Sequence, residues 1–78
     1  MEGLAMANKH MDTCLQKAGA DEPIFVLRAQ DNTASNVVRF WAAAARRAGC
    51  SDEKVNGAYE IADEMDAWAK ANGAKVPD

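Results

Sequence analysis

The sequence predicts a small all-α domain of three helices, and three observations carry that prediction. Apolar residues recur at three- and four-residue spacing over most of the 78 residues. Helix-starting and helix-ending residues stand at the ends of those periodic stretches. The one run without helical periodicity, around Ile24-Phe25-Val26-Leu27, has no second β-rich run to pair with inside the chain. At this length a chain forms one domain, residues 1–78, and buries only about 60% of its unfolded surface, so a lone core is marginal. Much of the 49% apolar content is alanine, which packs closely but buries little. A homo-oligomer is the expected remedy, with Phe40, Trp41, Tyr59 and Trp68 serving an interface as well as a core.

Helix 1 is expected over about 2–18, where Leu4, Met11, Leu15 and Ala18 make one apolar stripe and Gly19 supplies a stop. A central segment, 21–31, follows. Its apolar run passes straight into Arg28, Gln30 and Asp31, and Pro23 suits the first turn of an element. Residues 24–30 are therefore read as a short buried helix or an extended buried segment packed among helices, with symmetric strand pairing across a dimer as the minor alternative. Asp31 to Thr33 offer N-caps for helix 2, about 34–48, whose stripe is Val37, Trp41, Ala44 and Ala48 and whose end is Gly49. Ser51, followed by Asp52 and Glu53, is the clearest helix start, because carboxylates meet the positive end of the helix dipole there.

Helix 3 is expected over about 52–71 on the stripe Val55, Ala58, Tyr59, Ala62, Met65 and Ala69. Gly57 lies inside it at a cost of about 1 kcal/mol unless another backbone comes close. Asn72-Gly73 ends it, and 74–78 reads as a short tail. The short Gly49-Cys50 connection makes helices 2 and 3 an antiparallel hairpin.

Composition excludes several functions. A net charge of −3 gives no electrostatic footprint for duplex nucleic acid. The first 20 residues are interrupted by Asn8, Lys9, His10 and Asp12, so they form neither a signal peptide nor a membrane span, and a cytoplasmic protein is expected. Cys14 and Cys50 lack C-x-x-C spacing and read as free thiols. With one histidine, His10, and no nucleophile and base at catalytic spacing, no catalytic residue is assigned and the protein is read as a non-enzyme. The acidic residues Glu60, Asp63, Glu64 and Asp66 read as a solvated face rather than a metal site. No phosphate loop and no cofactor motif is present.

The richest constellation is Arg28, Gln30, Asp31, Arg39 and Trp41, with Asn32 and Phe40 beside them. Guanidinium groups grip phosphates, amides and carboxylates read base edges, and an aromatic face stacks on a base, so these five are the candidate ligand-binding residues for a nucleotide-derived molecule. The structural alternative has Asp31 capping helix 2, Arg28 or Arg39 pairing with it, and Phe40 and Trp41 in the core.

Three stretches, Glu22-Pro23-Ile24-Phe25-Val26-Leu27-Arg28-Ala29-Gln30-Asp31, Val38-Arg39-Phe40-Trp41-Ala42 and Ile61-Ala62 with Met65 and Trp68, resemble a pattern of small bacteriophage and prophage proteins to which no activity is attached. Members often carry proline a few residues after the aspartate, where this chain has Ala34-Ser35. The resemblance implies a phage genome and a host-cell cytoplasmic setting. By analogy it implies a small protein that counters a host defence by sequestering a cyclic-nucleotide-like signal, or else by binding a host defence protein through a helical face.

Overall fold

The computed structural model describes residues 13–78, with side chains from Leu15 onward. Three helices lie in this range: α1 (Thr13–Lys17), α2 (Ala34–Arg47) and α3 (Asp52–Asn72). The domain is all-α, as the periodicity predicts, and α2 and α3 pack against each other as a hairpin. The part of helix 1 before Thr13, including His10 and the stripe residues Leu4 and Met11, lies outside the described residues.

The α2–α3 connection shows why the hairpin closes where it does. Gly49 takes φ +96°, a conformation open to glycine. Its N–H donates to the Arg46 carbonyl at 3.0 Å and the Cys50 N–H donates to Ala45 at 2.9 Å, the paired bonds of a Schellman motif. Ser51 then caps α3, its Oγ accepting from the Lys54 N–H at 3.3 Å, with Asp52 and Glu53 in the first turn. At the far end Gly73, φ +92°, returns its N–H to the Ala69 carbonyl at 2.7 Å. Asn72 Nδ2 donates to the Trp68 carbonyl at 2.9 Å.

The start of α2 is built differently from the sequence expectation. Thr33 is the N-cap, but its side chain makes no capping bond. Asp31 instead shapes the approach: its carboxylate accepts from the Arg28 N–H at 3.4 Å, its N–H donates to the Arg28 carbonyl at 2.9 Å, and its carbonyl accepts from Ala34 at 3.0 Å. The tail is also tied down. Asn32 N–H donates to the Lys75 carbonyl at 2.8 Å and Lys75 N–H to the Gln30 carbonyl at 2.9 Å, a single parallel bridge. Lys75 Nζ pairs with Asp78 Oδ1 at 2.6 Å.

The core is thin. The fully buried apolar side chains among the described residues are Ala34, Ala42, Val55 and Ala62, three of them alanine, and Gly57 is buried as well. Small residues let the two helices approach closely, and they remove little apolar surface from water. The expectation that Ile24 to Leu27 is buried is corrected here. The segment 22–28 is neither helix nor strand, and Ile24, Phe25 and Val26 are 56%, 85% and 70% exposed. The segment stands off the hairpin, with Phe25 and Leu27 bordering an open space rather than a packed core. Phe40, Trp41 and Trp68 are likewise exposed, so neither Phe40 nor Trp41 is a core residue.

Candidate functional site

Where the central segment crosses the α2–α3 hairpin it leaves an open cleft of about 450 Å³. Phe25 and Leu27 come from the segment, Val37, Val38 and Trp41 from α2, and Lys54, Ala58 and Ile61 from α3. Helical spacing explains the two helix walls: 37 and 41 are one turn apart on α2, as are 54, 58 and 61 along α3. On the segment, Phe25 and Leu27 line the cleft whereas Ile24 and Val26 do not, the alternation of an extended chain. Lys54 is the one charged residue among the lining side chains. A hollow of this size with aromatic and aliphatic walls and a single cation can hold apolar groups, and it offers little to a multiply charged ligand.

A second, smaller cavity of about 160 Å³ lies between the turn before α2 and the last turns of α3. Asp31, Asn32, Ser35 and Asp66 give it a polar wall, and Met65 and Ala69 an apolar one. Beside it stands the main ion-pair cluster of the hairpin. Arg39 Nη2 donates to Asp63 Oδ1 at 2.9 Å and to Asp66 Oδ2 at 2.6 Å, so both protons of that nitrogen are taken. Ser35 stands beside Asp66 on the wall of that cavity. The Ser35 hydroxyl first, and Arg39 second, hold the Asp66 carboxyl below its ordinary range against the opposing effect of desolvation. The same contacts, Asp66 foremost, raise the Arg39 guanidinium above its ordinary value.

The five sequence-predicted residues therefore divide among three places. Trp41 lines the apolar cleft. Arg39, two positions earlier on α2, points to the opposite flank, because residues two apart on a helix do not share a face. Asp31 lines the small cavity, Gln30 gives its carbonyl to Lys75, and Arg28 is exposed with its backbone turned onto Asp31. Neither arginine pairs with Asp31 through its side chain; the partners of Arg39 are on α3.

The cleft residues Phe25, Leu27, Val37, Val38, Lys54, Ala58 and Ile61 are the ones the sequence constellation omits. An available signal was that Val37 and Trp41 fall on one α2 stripe, facing the α3 stripe that holds Ala58. Among the described residues no group of three or more metal-ligating side chains comes together, and no helix is long and apolar enough to cross a membrane. Comparison with protein-family models, curated proteins and solved structures gives no match.

Proposed function

We propose that the protein is a small non-enzymatic binding protein that takes an apolar side-chain cluster of a partner protein into the cleft walled by Phe25, Val37, Trp41 and Ile61. In the phage setting that its sequence pattern suggests, the partner is a host defence protein. The supporting observation is the character of the cleft: eight lining residues, of which only Lys54 is charged and one is a half-exposed tryptophan. An amphipathic helix presenting i and i+4 apolar residues fits such a hollow. Charge complementarity adds an acidic residue on the partner, opposite Lys54.

Sequestration of a nucleotide-derived messenger is the second reading, favoured by the exposed face of Trp41 and the nearby Lys54, which suit stacking on a base and contact with one phosphate. Arg39 adds little to it, since a phosphate there would approach Asp63 and Asp66.

Intrinsic fluorescence separates the two. With Trp68→Phe, Trp41 becomes the sole reporter. An amphipathic helical peptide is expected to shift its emission to the blue, and Val37→Glu, at a half-exposed cleft position, is expected to abolish the shift while Arg28→Ala leaves it unchanged. A shift produced instead by cyclic nucleotides, and lost in Lys54→Ala, would establish the messenger reading. No response to either class sinks the cleft as a binding site.

A further inference from the structure

The segment Ile24–Leu27 carries an observation that the cleft does not use. Among the described residues no hydrogen bond reaches its backbone: the bonds on either side end at Glu22, which donates to the Gly19 carbonyl, and at Arg28, which is folded onto Asp31. It is a run of four apolar residues, three of them β-favouring, with Ile24 and Val26 facing solvent and its peptide groups unpaired. Such a segment can act as a strand edge once another chain pairs with it.

We propose that two copies of this chain pair antiparallel through Ile24–Leu27 about a twofold axis at Phe25. The sequence of the segment selects the occupant and the register. Its N-terminal flank is acidic, Asp21-Glu22, and its C-terminal flank is basic, Arg28, so an antiparallel second copy brings opposite charges together at both ends. With Phe25 facing Phe25 of the other copy, Ile24 lies opposite Val26 and Glu22 opposite Arg28.

Pro23 fixes the hydrogen-bonding phase. It has no N–H, so the Pro23–Leu27 pair must be a non-hydrogen-bonded one, which makes Phe25–Phe25 non-hydrogen-bonded too and leaves Ile24–Val26 as the bonded pair on each side. The Ile24–Val26 bonds thus fall on peptide groups that are unpaired within the chain, and the ladder ends there, because Glu22 and Arg28, next in the same phase, already give their N–H groups to the Gly19 carbonyl and the Asp31 carboxylate. A two-stranded ribbon alone is marginal in water; here it also joins the exposed apolar side chains Ile24, Phe25 and Val26 of both copies, which a core made mainly of alanine leaves uncovered. The inference stands independently of the cleft's ligand.

Sedimentation over a range of concentrations tests the pairing on the full-length chain. The expected result is a monomer–dimer equilibrium that Val26→Pro, which deletes a bonded-pair N–H, weakens about tenfold or more while the helical circular dichroism stays unchanged. Glu22→Arg weakens it as well, and Glu22→Arg combined with Arg28→Glu restores it. In a background with Cys14 and Cys50 changed to serine, Phe25→Cys is expected to oxidise to a disulfide-linked dimer, because non-hydrogen-bonded antiparallel partners stand close enough for that bond. A chain that stays monomeric at every concentration overturns the proposal. So does a dimer that Val26→Pro leaves intact or in which Phe25→Cys fails to cross-link.

Discussion

The two connections that flank α2 differ in almost every respect. The one after it, Ala48 to Ser51, satisfies its backbone within a few residues: Ala48, Gly49 and Cys50 all return their N–H groups to the last turn of α2, and Ser51 immediately caps the next helix. The one before it, from Ala18 to Thr33, is long, holds the most apolar tetrapeptide in the chain, and leaves that tetrapeptide unbonded with Ile24, Phe25 and Val26 exposed. One connection closes the fold. The other presents a surface, supplying one wall of the cleft and the unbonded run Ile24–Leu27. Local backbone chemistry is therefore concentrated where the chain must be rigid, and apolar surface is displayed where it is not needed for the hairpin.

The largest expected effect falls on the hairpin itself. Ala42, on α2, is fully buried. Ala42→Leu is expected to cost about 1–3 kcal/mol through overpacking, read from the denaturant midpoint at constant m-value. An unchanged midpoint would mean that the helices are not held at alanine distance.

A paired substitution sharpens the contrast between the two connections. At Gly49 a Cβ would meet open space, so the penalty of Gly49→Ala comes from backbone conformation alone and is expected to be about 1–2 kcal/mol. Val26→Ser, in the exposed segment, should change the stability of the dilute protein by less than about 0.5 kcal/mol. Equal costs at the two positions would show that the segment is folded against something within its own chain.

The contrast also explains what was legible in the sequence. The ends of α2 and α3 are readable to within about one residue, because Gly49, Ser51 and Gly73 each solve a specific backbone problem that their neighbours cannot. The fate of Ile24–Leu27 was not readable, since an apolar run tells that burial is favourable but not whether the helices nearby have surface to bury it on. For the candidate site, residue types were visible and grouping was not. Arg39 and the acidic residues of α3 each stood out, but only the register of the hairpin joins them. Arg46 donates to Asn56 at 3.4 Å, and stepping seven residues back on α2 and seven forward on α3 sets Arg39 against Asp63. The tail bridge to Gln30 and Asn32 leaves no mark in composition, because it is made wholly by backbone groups.

The smallest effect concerns the ion pairs that join the hairpin on the flank away from the cleft. The Asp66 carboxyl is held below its ordinary range by Ser35 and Arg39, so it binds its proton less readily in the folded chain than in the unfolded one. An acid with a depressed folded value stabilises the fold above its unfolded value, near pH 4, and that contribution fades as pH falls through the folded value. Stability should accordingly decline on acidification below about pH 4, and Asp66→Asn should flatten that part of the profile. The carboxylates are exposed, 77% for Asp63 and 53% for Asp66, so salt should shrink the effect as well. A profile that Asp66→Asn leaves unaltered would mean that Arg39 is held by Asp63 alone. The α2 flank would then be as loosely tied as the segment on the other side of the cleft.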